Sequence, residues 1–469
     1  MFYIFYNCVG LTSVNLGNSM TNIGTSSFEN CTGLMRVTFT NSVTSIGGGA
    51  FSNTEWYNNH PDGLVYVGNI AYRYKGTMPP NTSIVLKEGT LGITKMAFEK
   101  CSGLSSVTIP NSVTRIDEGA FTGCTGLISV TIPTSVTSIA AGVFNGCTGL
   151  TSIDIPNTVT SIGESAFAYC SGLTCFTIPN SVTSIGGGAF RNCTGLTNIT
   201  IPSNVTSIED GTFDGCYSLM SIDIPNSVNS IGILAFNHCS GLTSVTIGNS
   251  VAIIGDYAFR DCTGLISVAI PNSVTSIGNR AFDGCYSLTS VTIGSSVTSI
   301  GYRAFYRCSQ LTSVDIPNSV TSIDYGAFEG CSSLMEVKSL IESPYEIEDR
   351  MFSYETYQQG TLYIPKGTMS LYTSLDGWRK FQNIVEMSDD DILNNIHLAN
   401  DYSEKVSVEV EENGIRIHNA SEGTLCQVFS TDGKLLKLVK LTAGTQYIGL
   451  LRSQMYIVKV GDKTIKVAL

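Results

Sequence analysis

The sequence predicts a mainly β protein: a solenoid of 23-residue coils followed by a small C-terminal β-sandwich. Three observations support this. A phrase close to C-[ST]-G-L-x-S-[VI]-x-I-P-N-S-V-T-S-I-x-x-x-A-F-x-x recurs ten times without insertion or deletion. Its cysteine falls at Cys101, Cys124, Cys147, Cys170, Cys193, Cys216, Cys239, Cys262, Cys285, Cys308 and Cys331, each 23 residues from the last. Beyond about Glu404 the phrase is gone and short alternating strands replace it. Self-similarity at a fixed short period is the signature of stacked coils.

The coil that opens at Cys193 shows why it must stack. Leu196, Ile199 and Ile201 are spaced as a strand with its approach. Pro202 has no N–H to give a sheet ladder and ends the strand. Val205 and Ile208 follow at i, i+3, and Gly211, Thr212 and Phe213 lead into Cys216. About seven inward side chains bury too little apolar surface to offset the ordering of a whole coil's backbone. Each coil therefore depends on its neighbours to share a ladder and an interior.

The phrase resembles the BspA-like family of bacterial leucine-rich repeats, over about Phe5 to Met387. The resemblance rests on the 23-residue period, the L-x-x-[VI]-x-I-P strand, the V-x-x-I after it and the A-F-x-x-C closure. It implies a curved solenoid with a parallel sheet on one face, carried on bacterial surfaces and used for binding.

Of 469 residues, 42% are hydrophobic and only 14% charged, enough chain for one long array and a smaller unit. The net charge of −12 argues against nucleic acid, whose phosphates demand clustered Lys and Arg, and against a polybasic membrane contact. No apolar run of about 18 residues offers a transmembrane segment. Cys8 and Phe5 precede Cys31 and Phe28 by 23, so the chain opens in repeat phase with no secretory signal in view. We expect a true N-terminus upstream, signal peptide included. Thirteen of the 15 cysteines hold one solenoid position; Cys175 and Cys426 lie outside it. Stacked equivalents sit roughly 5 Å apart with parallel Cβ vectors, which suits a ladder of buried thiols better than disulfides. No C-x-x-C pair suggests zinc, and no metal or cofactor is expected.

In chain order, residues 1–53 hold two coils, with Leu11, Val14, Leu16 and then Leu34, Val37, Phe39 at strand positions. The phrase fails at Thr54. Within 54–77, Val65–Val67, Gly68-Asn69 and Ile70–Tyr72 carry a two-residue hairpin signal that interrupts the array for about one coil. Trp56, Tyr57, Tyr66, Tyr72 and Tyr74 are candidates either for a binding surface or for covering the edges of neighbouring coils.

From Cys101 to Cys331 the outward strand positions are nearly all Ser or Thr. Diversity gathers around Ala-Phe instead, and in the late coils it becomes Tyr and Arg: Tyr257, Arg260, Arg280, Tyr302, Arg303, Tyr306, Arg307 and Tyr325. Equal offsets put Tyr257, Arg280 and Arg303 in one column. Tyr and Arg are enriched in binding hot spots; a solvated edge without a partner is the competing expectation. From about 339 to 387 the phrase decays into a cap, with Leu371, Tyr372, Trp378 and Phe381 closing the core. Residues 388–403 read as a polar linker.

Residues 404–469 carry seven short alternating strands, as in a β-sandwich. Val428–Lys434 (V-F-S-T-D-G-K), Tyr456–Val460 (Y-I-V-K-V) and Lys466-Val467 resemble the C-terminal sorting domain of the type IX secretion system. Gln454 stands where that family has Gly. The resemblance implies export by that machinery to the outer surface of a Gram-negative cell, as in Bacteroidota.

No catalytic set emerges. His60, His238, His397 and His418 have no nucleophile and base arranged beside them, and the Gly-Gly-Gly runs at 47–49 and 186–188 lack the Lys of a phosphate loop. The expected function is a non-enzymatic surface adhesin that engages protein or glycan on host or neighbouring bacterial cells. A passive surface spacer is the alternative.

Overall fold

The computed structural model describes residues 3–39 and 42–388, and seven strands between 407 and 468. The 23-residue register appears directly in strand pairing. Ser129–Thr131 lies parallel to Ser152–Asp154, with Ser129 opposite Ser152 and Val130 opposite Ile153. The longest run of this ladder has eight strands, from Ser221–Asp223 to Asn383–Glu386. The V-x-x-I stretch makes a second parallel ladder of two-residue strands, such as Ser138–Ile139 on Ser161–Ile162. The repeating array thus carries two ladders rather than a sheet on one side alone. On the third side, turns replace strands, but the backbone still links coil to coil: Phe144 N–H donates to the Ala166 carbonyl at 2.8 Å, and Phe167 N–H to Ala189 at 2.8 Å.

The repeated phrase is explained by what each residue bonds. Ser181 donates to the Val159 carbonyl of the preceding coil at 2.6 Å, and Ser227 does the same to Val205. Thr197 Oγ1 donates to the Thr174 carbonyl at 3.0 Å, so outward hydroxyls staple neighbouring coils. Cys147 Sγ donates to the Phe121 carbonyl at 3.2 Å, which also accepts the Cys124 N–H. From Cys124 to Cys331 each inner thiol likewise uses the second lone pair of a turn carbonyl, a role its hydrophobicity alone did not suggest. Twelve phenylalanine rings, from Phe98 to Phe352, stack through the interior at 5.1–5.6 Å between centroids.

Burial raises the inner thiols, with Cys147 and Cys193 pushed up to about 12. Of the 15 cysteines only Cys8 and Cys175 are exposed, and none is bridged. A chromogenic disulfide reagent at mildly alkaline pH is expected to react rapidly with those two in the native protein. The other thiols should react only in denaturant. Rapid native labelling of Cys239 would contradict a closed interior.

The interruption is a hairpin, Gly63–Val67 on Ile70–Lys75, and Gly68 takes φ +56 in its turn. The hairpin's second strand rejoins the short ladder, with Ile70 opposite Gly92. A short helix α1 (Glu55–Asn58), capped by Thr54, precedes it and was not signalled by the repeat pattern. Tyr72 is buried, and its hydroxyl accepts the Phe51 N–H at 2.9 Å, a bond that a carbonyl supplies elsewhere. Trp56 packs on Phe51 at 4.9 Å and Tyr57 on Tyr72 at 5.9 Å. These aromatics cover coil edges.

In the cap, α2 (Tyr354–Gln359) and α3 (Met369–Ser374) alternate with strands that extend the long ladder. Trp378, Tyr372 and Phe381 are buried as expected. Leu371 is not: it is 46% exposed, because its neighbour Tyr372 takes the inward face of α3.

All seven C-terminal strands form, in antiparallel sheets of three and four strands. Ile415, Ile417, Cys426, Val428 and Ile448 are buried. The linker after Ser388, His397, Gln454 and the turn at Asp432-Gly433 lie outside the described residues. Among the described residues, no helix is long and apolar enough to cross a membrane.

Candidate functional site

The Tyr/Arg positions sit on the turn side of the late coils, and the backbone conformation there explains how they are held. Every coil places one residue before Ala-Phe, or its equivalent, in the left-handed region. Half of the earlier coils use glycine, among them Gly119, Gly142, Gly188 and Gly211 with φ of +59 to +62, and the others place Tyr3, Ser26, Met96, Ser165 and Leu234 there. Tyr257, Arg280 and Arg303 occupy the same column at +58, +52 and +53. Their N–H groups donate to the next coil at Asn279, Tyr302 and Tyr325. A second left-handed column runs through Gly146, Gly215, His238, Asp261 and Arg307. Side chains there cost roughly 1–2 kcal/mol relative to glycine. In three successive late coils that cost falls on large side chains, Tyr257, Arg280 and Arg303.

The acids that organise these arginines do not stand out in the repeated phrase. Arg260 Nε lies 3.3 Å from Asp261, and His238 Nε2 3.4 Å from the same carboxylate. Arg280 pairs with Asp283 at 3.4 Å, and Arg303 with Glu329 at 3.4 Å. Asp283 is buried, which raises its carboxyl against the pull of Arg280, Arg260 and Arg307. The offsets of 1, 3 and 26 residues that join each arginine to its acid were present in the sequence, hidden among other acidic positions.

The structure brings the predicted residues into one strip with a dense end and a sparse end. At the dense end, the Arg303 guanidinium lies 4.5 Å from the Tyr306 ring, 5.2 Å from Tyr302 and 5.9 Å from Tyr325. Tyr302 and Tyr325 stack at 6.0 Å, and Arg307 covers Tyr306 at 4.8 Å. Arg280 leans on Tyr302 at 5.5 Å. At the sparse end Arg260 lies 5.8 Å from Tyr257. Arg307 is exposed and the other seven are half-buried. The result is a surface of ring faces and guanidinium planes already fixed in place, so contact there orders few rotamers.

Replacing Tyr257 by Gly is expected to raise stability. Relief of the left-handed conformation gives on the order of 1 kcal/mol, less about 0.5 for the lost Arg260 contact. The check is a higher Tm; a lower one would mean that the ring's packing outweighs backbone strain.

Among the described residues, no three His, Cys, Asp or Glu side chains converge as a metal site. His60 packs edge-on against Trp56 at 4.5 Å and hydrogen-bonds the Trp56 carbonyl at 2.7 Å.

A model of the BspA type leucine-rich repeat region matches residues 2–127, 67–194, 160–268 and 252–375, which together span most of the chain. Solved structures with similarity include a leucine-rich repeat protein from Bacteroides ovatus, at 25% identity over 71% of this chain and 100% of that one, TM-score 0.48. A T. pallidum leucine-rich repeat protein is 31% identical over 39% of this chain and 87% of that one, TM-score 0.34. A leucine-rich cell surface protein from Faecalibacterium prausnitzii is 29% identical over 70% and 79%, TM-score 0.37. No curated protein matches the chain.

Proposed function

Because this chain belongs to the BspA type leucine-rich repeat family, we propose that it is a non-enzymatic binding protein displayed on a cell surface, with the Tyr/Arg strip as its contact surface for a protein partner. The observation that carries this is the cluster of Tyr302, Arg303, Tyr306, Arg307 and Tyr325 on the late coils, whose rings and guanidinium planes pack on one another at the surface. The partner is a macromolecule of host or neighbouring bacterial cells, which makes the protein an adhesin. The sandwich at 404–469 serves as a type IX export address, joined through the 388–403 linker.

The test is binding of the full chain to immobilised extracellular-matrix proteins and to whole cells, beside the Tyr302→Ala/Arg303→Ala double variant. Hot-spot losses of about 2 kcal/mol or more correspond to a weakening of roughly 30-fold. If the wild type binds nothing, the adhesin reading fails. If the double variant binds as well as wild type, the strip is not the contact surface. A passive spacer draws support from the internal pairing of Arg260, Arg280 and Arg303, and it predicts that second result. Surface labelling of cells with and without 404–469 tests the export role: equal labelling would remove it.

A further inference from the structure

The four arginines of the strip are not equivalent. Arg260, Arg280 and Arg303 are each held by an acid of this chain, Asp261, Asp283 and Glu329, so they offer a partner flat guanidinium faces but little net charge. Arg307 is different. It is exposed, and among the described residues it pairs with no carboxylate. Its place is nonetheless fixed. The guanidinium lies 4.8 Å from the centre of the Tyr306 ring, and the Tyr306 and Tyr286 hydroxyls both lie beside it. Its backbone takes the left-handed φ of +61, where the coils before and after carry Gly284 and Gly330. Tyr286 is 41% exposed and adds one more ring to the strip.

The planar N–H fork of an arginine matches a carboxylate through two parallel hydrogen bonds, and a neighbouring phenol hydroxyl can donate to the same group. The surroundings limit how many charges such a ligand carries. Asp261, Asp283, Asp324 and Glu329 are interleaved with the arginines, and the whole chain has a net charge of −12. A polyanion with closely spaced charges, such as a sulfated polysaccharide or a nucleic acid, would set anionic groups against those carboxylates, and like charges brought together penalise the wrong partner. A single anion flanked by apolar groups meets no such opposition. The Tyr302 and Tyr325 rings, stacked at 6.0 Å, together with Tyr306 and Tyr286, give the flanking groups faces to rest on.

We propose that the strip recognises a short peptide segment of its partner in which a single Asp or Glu, bound by Arg307, is flanked by apolar residues that pack on the tyrosine rings. This rests on the strip being the contact surface and goes beyond it in naming what the partner presents. Arg307 sets the specificity for charge, and the rings supply the apolar area. The two contributions separate in one experiment.

The probe is a set of capped heptapeptide pools whose central residue is fixed as Asp, Glu, Asn or Gln and whose other positions are mixed uncharged residues, passed over the immobilised full chain. The Asp or Glu pool is expected to be retained about tenfold better than its amide counterpart. Arg307→Gly should abolish that preference and leave retention of the Asn and Gln pools unchanged. It introduces the residue that the adjacent coils already carry at 284 and 330, which keeps the fold intact. Tyr302→Ala/Arg303→Ala should weaken all four pools. The inference is overturned, with the strip still standing as contact surface, if the acidic pools show no advantage, if their advantage survives Arg307→Gly, or if heparin is retained through Arg307 and the peptides are not. If Tyr302→Ala/Arg303→Ala matches wild type with the pools and with whole cells, the strip itself is removed and the inference with it.

Discussion

Phe259→Ala is expected to destabilise the array by about 3–5 kcal/mol. Phe259 is fully buried, with the Phe236 ring at 5.1 Å on one side and Phe282 at 5.2 Å on the other. Its removal deletes the contact between two coils as well as one side chain's burial, and the regular backbone around it cannot collapse into the gap. In a quasi-one-dimensional array stability is a sum of coil terms and nearest-neighbour interface terms. Weakening one interface in the middle should therefore also split a single unfolding transition in two. Urea denaturation followed by circular dichroism reads both effects. A loss below about 1 kcal/mol would mean that the ring stack contributes little and the ladders hold the coils by themselves.

Trp378→Ala should cost a similar amount, about 3–5 kcal/mol, but at the end of the array. The indole is fully buried, lies 5.3 Å from Tyr372 and 6.1 Å from Phe352, and donates from Nε1 to the Tyr345 carbonyl at 2.9 Å. Truncation leaves that carbonyl unpaired and uncovers the last ring of the stack. Limited proteolysis is expected to cut first within 339–387 and only later in the uniform coils. Leu371→Ser is the control, since its 46% exposure predicts a change within about 0.5 kcal/mol. Equal protease resistance of wild type and Trp378→Ala would show that the cap does not protect the interior.

The solenoid was legible because its apolar positions repeat with one period, and the register it predicts, Ser129 on Ser152 or Val291 on Val314, is the register found. The second ladder was harder to see, since two-residue strands have no alternation to detect. The strip was visible as a break in monotony, but its physical meaning was not. The period aligns Arg303 with Gly211 of an earlier coil, but only the backbone shows that the shared position is left-handed. Its counter-ion Glu329 is 26 residues away, a distance that pattern reading does not privilege.

The uniform pairing offset has a genetic corollary. Between Cys101 and Cys308, excising any 23 consecutive residues rejoins segments whose hydroxyl staples, thiols and rings already match. Unequal recombination between such similar stretches of DNA would lengthen or shorten the molecule by about 5 Å per event and leave every inner contact type intact. Reach is thus a trait that selection can adjust in discrete increments, with the cap that closes the array left unchanged.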